Sequence, residues 1–256
     1  GNDFFTTMPC LLPSDKERFG VKVVSRILGR TPSLSSDILL YNSANGELLA
    51  LINADWITSM RTGAVATLAI KTLRSSSARK YSFIGLGNTA RATLLCLLSS
   101  FPDEIFQVVL FRYKDQAEYF IDYFRTFGNV VFSVVDTMEE LVEDADVLVS
   151  CITDADGLLI GNDALFKPGI LLVPVHTRGF QNCDLFFDKV FADDTEHVRS
   201  FRYFNQFKWF NEIGDVLDGT CRGRENDKER ILSYNIGLGL HDVFFASNIY
   251  DMITNR

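Results

Sequence analysis

The sequence predicts an α/β protein in which a doubly wound parallel sheet is combined with a second, α+β domain. Short apolar strands alternate with helical stretches through the middle of the chain, a glycine turn follows the first of them, and a further helix lies beyond them. Continuous apolar strands that alternate with helices are typical of a parallel sheet covered on both faces. The 256 residues, 47% of them hydrophobic and 23% charged, suit one large or two modest globular domains.

The N-terminal part of the chain predicts a β-hairpin followed by a helix. Residues 37–53 hold two apolar runs around Asn45-Gly46, a dipeptide that favours a tight turn with two positive φ angles. Residues 55–73 carry apolar side chains at helical spacing. Upstream, the run GVKVVS places Lys22 among apolar neighbours. This predicts either an edge strand with Lys22 facing outward or a site that uses an amine with a shifted pKa.

The middle of the chain supplies the strands of the parallel sheet. Five β-rich runs are separated by helical stretches, and the polar segment RSSSARK is predicted to be the linker that leads into them. The runs are YSFIG (81–85), FQVVLF (106–111), VVFSVV (130–135), DVLVSC (146–151) and ILLVPV (170–175). They predict an open sheet in which each strand is followed by a helix.

The C-terminal segment IGLGLHDVFFASNIYDMI predicts a long helix with Leu240, Val243 and Phe244 on its apolar side. Because this helix lies beyond the alternating region, we expect it to return to the N-terminal hairpin. The predicted domains are therefore a discontinuous one, 1–76 with 236–256, and a continuous insert, 77–235.

The stretch YSFIGLGNTARA has the strand, glycine turn and helix of a dinucleotide-binding fingerprint. Gly85 would permit the tight turn, and Gly87 would let backbone amides approach a pyrophosphate. The helix that begins near Asn88 or Thr89 would direct its positive end toward that charge. Ala90 stands where the fingerprint has a third glycine, a position that mainly requires a small residue. The alternative is an ordinary corner between a strand and a helix.

The end of the second strand bears on the choice of dinucleotide. An NAD site usually has an acidic residue there, which accepts hydrogen bonds from the ribose 2′-hydroxyl. This chain has Phe111-Arg112-Tyr113-Lys114 instead. Arg112 and Lys114 could pair with a 2′-phosphate, so the sequence favours NADP over NAD. A solvated basic loop is the alternative interpretation.

Other side chains are candidates for the substrate site. Arg61 and Thr62 lie early in the predicted first helix, where an arginine could bind a carboxylate or phosphate through two hydrogen bonds or simply be solvated. His176 follows the fifth strand, at the end of the sheet where ligands of open α/β sheets bind. The sequence has no GxSxG, GxxxxGK[ST] or HExxH motif, which argues against hydrolase, phosphate-transfer and zinc-peptidase functions, and no metal site is predicted.

Charge and cysteine content exclude other classes of protein. With 33 acidic and 25 Lys and Arg residues the formal net charge is −8, which disfavours nucleic acid as a partner. The five cysteines are scattered without a CxxC pair, which favours a reducing, cytoplasmic location. No apolar run approaches the roughly 18 residues of a membrane span, and the N-terminus lacks the regions of a signal peptide. The leading glycine, without a methionine, suggests a tag remnant or a chain that begins partway into its parent.

Several segments together resemble the ornithine cyclodeaminase/mu-crystallin family over nearly the whole chain. They are GVKVVS, ADWITSMRTGAVATLA, FIGLGNTA, DADVLVS, NEIGDVLDG and YNIGLGLHDVFFASNIY. The resemblance implies an NAD(P)-binding Rossmann domain inserted into a substrate and dimerisation domain, and a homodimer. It implies that Lys22 is the active-site lysine, that Arg61 binds the substrate carboxylate and that Thr62 lies near the cofactor phosphates. Thr153 and Asn235 are also assigned to the cofactor site.

The chain departs from the cyclodeaminases of this family after the fifth strand. Arg178 occupies the position of their acidic residue, which argues against ornithine cyclisation, and less chain precedes GVK than in the family. The expected function is therefore NAD(P)-dependent hydride transfer at the Cα of a small amino acid or a cyclic imine or ketimine. The alternatives are a cyclodeaminase-type ammonia lyase with a recycled cofactor, and a non-catalytic, crystallin-like protein that binds NADPH and a ligand.

Overall fold

The computed structural model describes residues 3–152, 159–175 and 184–254 and confirms the predicted α/β class. The strands are β1 (Phe4–Leu11), β2 (Arg18–Arg26), β3 (Leu34–Asn42), β4 (Leu48–Asn53), β5 (Lys80–Ile84), β6 (Phe106–Phe111), β7 (Val130–Val135), β8 (Val147–Ser150), β9 (Leu171–Pro174), β10 (Lys189–Ala192), β11 (Phe210–Glu212) and β12 (Ile231–Tyr234). The helices are α1 (Asp55–Leu73), α2 (Asn88–Ser100), α3 (Gln116–Tyr123), α4 (Met138–Val142), α5 (Thr195–Val198), α6 (Ile213–Leu217) and α7 (Gly239–Thr254).

The chain divides into two compact units. The N-terminal unit comprises Gly1–Arg61 with Gly237–Arg256, and the sheet unit comprises Thr62–Ile236. The division falls within α1, earlier than the linker proposed from the sequence, and the domain boundaries 1–76, 77–235 and 236–256 stay a prediction. None of the helices in the part of the chain that the structure describes is long and apolar enough to cross a membrane.

The N-terminal unit is an antiparallel sheet in the order β1-β2-β3-β4. Strand β2 pairs on both sides, so the interpretation of GVKVVS as an edge strand is wrong, and Lys22 lies opposite Met8 and Ile38. One face of this sheet packs against α7. At Gly20 a Cβ would lie 2.7 Å from a methyl group of Val243, so a larger residue would push the helix away from the strand.

The turn between β3 and β4 is wider than the Asn45-Gly46 dipeptide predicts. Residues 43–47 connect the two strands, and Gly46 has a positive φ of 78° whereas Asn45 does not. The Asn45 side chain instead accepts a hydrogen bond from the Glu47 backbone N–H at 2.9 Å. The antiparallel pair is confirmed, but the prediction of two positive φ angles is wrong because a side-chain bond shapes the turn.

The described residues of the sheet unit form eight strands in the order β11-β10-β12-β9-β8-β5-β6-β7, and all of their registered pairs are parallel. The chain proceeds outward from β5 through β6 to β7, then returns to the other side of β5 at β8. The direction of winding therefore reverses between β5 and β8, which is where ligands of such sheets bind. The five predicted strands are present. Strands β10, β11 and β12, of three or four residues each, were not among the predicted strands.

Within the sheet unit, α1 packs closely on α2 at Gly63. A Cβ at Gly63 would lie 2.5 Å from a backbone carbon of Ala92, so the helices approach here because this residue has no side chain. One turn further along α1, the Thr67 hydroxyl donates a hydrogen bond to the Thr93 carbonyl at 3.2 Å. Gly63 and Thr67 thus fix this part of α1 against α2, the helix that follows the glycine turn.

Candidate functional site

The glycine turn after β5 has the geometry of a dinucleotide fingerprint. Gly85 has a φ of 78°, and a Cβ there would lie 2.5 Å from the Cys151 carbonyl carbon, which follows β8. Both conditions require glycine. At Gly87 a Cβ would meet nothing within 4 Å, and its φ is −83°, which any residue adopts. The described residues therefore leave open space in front of Gly87, as the approach of a ligand to the backbone requires.

Helix α2 begins at Asn88, directly after this turn. Its first turn holds no acidic residue, and Gly87 at the N-cap offers no side-chain hydrogen bond to the helix. The first backbone N–H groups of an α-helix lack acceptors within the helix and attract anions. Ala90 is fully buried, which fits the small third position of the fingerprint. These residues fit the pyrophosphate of a dinucleotide.

A cleft of about 450 Å³ opens at the carboxyl ends of β5, β6 and β8. Its lining residues are Ile84, Gly85, Gly87, Phe111, Tyr113, Gln116, Cys151 and Ile152. The cleft lies at the reversal of winding and is mostly apolar apart from the exposed backbone of the turn. Burial raises the pKa of the Cys151 thiol far above its usual value, which disfavours the thiolate form.

Arg112 and Lys114 flank Tyr113 at the edge of the same cleft. The exposed Arg112 donates from Nε to Asp136 at 2.7 Å and from Nη1 to Glu118 at 2.8 Å. The Lys114 ammonium lies 5.2 Å from the centre of the Tyr113 ring. A 2′-phosphate at Arg112 would have to compete with two carboxylates, and the role of Arg112 and Lys114 stays a prediction.

In the N-terminal unit, Lys22 is buried on the face of the sheet that α7 covers. Its side chain is 1% exposed, and Nζ donates to Asp242 Oδ1 at 2.8 Å. Burial and the positive charge of Arg61 lower the Lys22 pKa to about 8, and the nearby Asp242 carboxylate opposes that change. Lys22 therefore can both donate and accept a proton near neutral pH.

Arg61 is buried beside Lys22. Its Nε donates to the same oxygen, Asp242 Oδ1, at 3.0 Å. The guanidinium lies against Gly237, where φ is 97° and a Cβ would be only 1.3 Å from Nη1. The absence of a side chain at Gly237 thus makes the room that Arg61 occupies.

Asp242 is the residue of this cluster that the sequence interpretation missed. It is fully buried in the first turn of α7, together with Val243. Leu240 and Phe244, predicted to lie on the apolar side of the helix, are exposed. The prediction failed because it counted apolar residues alone. An acidic residue amid the apolar residues at the start of this helix was the available signal.

The other predicted site residues belong to the sheet unit or lie outside the described residues. Thr62, on α1, is nearly buried. Asn235 is fully buried, and its Nδ2 donates to the Ser233 carbonyl at 2.7 Å, while its Oδ1 has no hydrogen-bond partner among the described residues. Thr153, His176 and Arg178 lie outside the described residues. The described ranges contain no group of three His, Cys, Asp or Glu side chains arranged to hold a metal ion.

The sheet unit has a Rossmann-type parallel sheet with a glycine turn, and the N-terminal unit has a buried lysine and arginine. These features define a class of two-unit α/β proteins. The chain belongs to the ornithine cyclodeaminase/mu-crystallin family, whose model matches residues 1–256.

Relatives of known name support this assignment. The chain is 27% identical over 256 residues to a Delta(1)-pyrroline-2-carboxylate reductase of Bacillus cereus, covering 92% of this chain and 77% of the relative. Its fold is similar to that of the Thermococcus litoralis Delta(1)-pyrroline-2-carboxylate reductase in complex with NADH and L-proline, with a TM-score of 0.85, 24% identity and coverage of 99% and 84%. It is also similar to an archaeal alanine dehydrogenase dimer with bound NAD, with a TM-score of 0.83, 23% identity and coverage of 100% and 86%.

Proposed function

We propose that this protein is an NAD(P)-dependent oxidoreductase that reduces a cyclic imine or ketimine, or an imino acid, to the amino acid. The observation that carries this proposal is the buried pair of Lys22 and Arg61, bridged by one carboxylate oxygen. Arg61 offers a positive charge that can bind a carboxylate, and Lys22 offers an amine that can exchange a proton. Together they suit a substrate that has a carboxylate next to a C=N bond. The family assignment and the reductases among the relatives support the same chemistry.

Each residue has a distinct task in this reaction. When bound, a reduced dinucleotide would supply the hydride for the new C–H bond at Cα, with the C=N π bond breaking and its electrons passing to nitrogen. Lys22, as an ammonium, donates the proton that nitrogen requires, and the oxidised dinucleotide and the amine are the products. Arg61 binds the carboxylate, because an error of even about 1 Å in orientation is costly for a transfer step. Gly85, Gly87 and the first N–H groups of α2 hold the pyrophosphate.

The stoichiometry of the reaction tests this function against its alternatives. With a cyclic imine carboxylate, the reductase consumes one NAD(P)H for each amino acid formed. A cyclodeaminase-type lyase would release ammonia from a diamino acid with only catalytic amounts of cofactor. A crystallin-like binding protein would bind NADPH tightly and turn over none of a panel of imino, keto and amino acids, which would contradict the proposal.

The pH dependence follows from the protonation of Lys22. Its pKa is lowered to about 8, so the ammonium that donates a proton is lost as pH rises through that value. We expect kcat/KM for imine reduction to fall with increasing pH across this region. Oxidation of the amino acid requires the neutral amine and is expected to rise across the same region. Steady-state rates of imine reduction and of amino-acid oxidation, measured against pH, give these two profiles. A change of rate near pH 8 that persists in Lys22→Met would reject the assignment to Lys22.

We propose NADP as the preferred cofactor on the basis of Arg112, which lies between two residues that line the cleft. Arg112→Ala is expected to weaken NADPH binding by about tenfold and NADH binding much less, since only NADPH has a 2′-phosphate that can form a charge-assisted hydrogen bond with the guanidinium. Fluorescence titration with both dinucleotides measures this difference. The matched control is Arg125→Ala, an exposed arginine paired with Asp122. Equal losses of NADH and NADPH affinity in Arg112→Ala would reject the choice of NADP.

We further propose a cytoplasmic homodimer that uses the uncovered face of the N-terminal sheet. Alternate residues of β1, β2 and β4 expose large apolar side chains there, namely Phe5 (72% exposed), Leu11 (64%), Val23 (40%) and Leu51 (70%). Exposed apolar surface of this extent is typical of protein interfaces. Sedimentation of the wild type and of Leu51→Glu tests the dimer, which the substitution should dissociate. The proposal of a cytoplasmic location is supported only by the scattered cysteines of the sequence.

A further inference from the structure

Asp242 is buried between the two cations of the N-terminal unit, although neither the reaction proposed above nor its cofactor uses it directly. Its Oδ1 accepts hydrogen bonds from Lys22 Nζ at 2.8 Å and from Arg61 Nε at 3.0 Å. Its Oδ2 has no hydrogen-bond partner among the described residues. A buried carboxylate stays charged only when it is paired, so Asp242 needs Lys22 and Arg61 to keep its negative charge. The two buried cations are in turn stabilised by that carboxylate.

The charges of this cluster do not cancel. Lys22, Arg61 and Asp242 are the buried ionisable side chains in the described part of the N-terminal unit. With Lys22 protonated, two positive charges and one negative charge leave a single net positive charge. Because uncompensated buried charge is unfavourable, a ligand with one negative charge matches this cluster and a ligand with two does not.

This inference rests on the reductase function. We propose that Asp242 is a positioning residue that holds Lys22 and Arg61 in one arrangement and leaves this cluster of three residues a single net positive charge, so that the substrates it binds are monocarboxylates rather than dicarboxylates.

The protonation of Lys22 reports on the first part of this proposal. Its neighbours on the flanking strands, Met8 and Ile38, carry no charge, and the charged groups that face it are Arg61 from α1 and Asp242 from α7. Removal of the carboxylate takes away the attraction that keeps the proton on Lys22 and leaves the repulsion from Arg61 unopposed. The ammonium therefore loses its proton at lower pH.

NMR titration of the full chain labelled with ¹³Cε-lysine measures this effect without substrate, and Lys22→Met assigns the resonance. We expect Asp242→Asn to lower the Lys22 midpoint by about one pH unit or more, as loss of a close opposite charge does, and Asp242→Glu to restore part of it. An unchanged midpoint in Asp242→Asn overturns the positioning role. Because no turnover is required, this result is independent of the reductase function.

Binding of L-proline and L-aspartate with the oxidised cofactor present tests the substrate class. Binding is measured below the Lys22 midpoint of both proteins, so that Lys22 is an ammonium in each. We expect the wild type to prefer proline by about tenfold or more, and Asp242→Asn, which then carries one more positive charge, to lose that preference. If Asp242→Asn does not fold, Lys22→Met combined with Asp242→Asn keeps the wild-type net charge and should still prefer proline. Tighter binding of aspartate by the wild type, or an unchanged ratio in Asp242→Asn, overturns the monocarboxylate class. Failure of both amino acids to bind overturns both that class and the reductase function, while the lysine titration still decides the positioning role.

Discussion

Lys22→Met is expected to lower kcat for imine reduction by about 10²- to 10⁴-fold, the usual contribution of a positioned general acid. Methionine fills similar space without the ammonium, and Arg61 and Asp242 keep their own ion pair, so that no buried charge is left alone. Affinity for the dinucleotide should be unchanged, because the glycine turn that holds it belongs to the sheet unit. Stopped-flow measurement of nicotinamide oxidation, together with a cofactor titration, separates the two quantities.

The control for this variant is Lys16→Met, which removes an exposed lysine of the same unit and should leave kcat unchanged. Full activity of a folded Lys22→Met would show that proton transfer does not pass through Lys22. A loss of cofactor affinity as large as the loss of kcat would instead show that the substitution disturbs more than the N-terminal cluster.

Gly237→Ala should raise KM for the substrate carboxylate by about tenfold or more, because loss of a charge-assisted hydrogen bond costs roughly 1.5–3 kcal/mol. A Cβ at this position would lie 1.3 Å from Arg61 Nη1, so the guanidinium must leave its place beside Asp242. Arg61→Ala should raise KM similarly, and the double variant should add little to either, because both substitutions remove the same contact.

Gly29→Ala is the matched control for the backbone effect of the Gly237 substitution. Gly29 has a similar positive φ of 83°, and a Cβ there would meet nothing within 4 Å. The Gly29→Ala variant should have a lower free energy of unfolding because of backbone strain, and its KM should be unchanged. If Gly237→Ala and Gly29→Ala changed KM equally, displacement of Arg61 would not be the cause.

The sequence was sufficient to predict the parallel sheet and its glycine turn because both are local. Five of the eight strands carry apolar runs of their own, and the turn lies within a dozen consecutive residues. Strands such as β11, with three residues, are held by pairing to neighbours rather than by their own pattern. Their presence depends on tertiary contacts that a local pattern does not contain.

The charged cluster was only half predictable for a related reason. Lys22 and Arg61 were identified from unusual placement and from family resemblance, whereas Asp242 is 220 residues from Lys22 and 181 residues from Arg61. Only the folded unit brings α7 across the β2 strand. The role of Gly237 could not be predicted for the same reason, because it depends on the side chain of Arg61, which is far away in the sequence.

Isotope transfer shows whether hydride passes from the dinucleotide to the Cα of an imino acid. NADPH or NADH in which both hydrogens on C4 of the nicotinamide are replaced by deuterium is mixed with a cyclic imine monocarboxylate. The product is examined by mass spectrometry and NMR. Hydride transfer to carbon should place one deuterium at Cα of each amino acid formed, with equimolar oxidation of the cofactor. Product without deuterium at Cα, or release of ammonia without net cofactor oxidation, would contradict it.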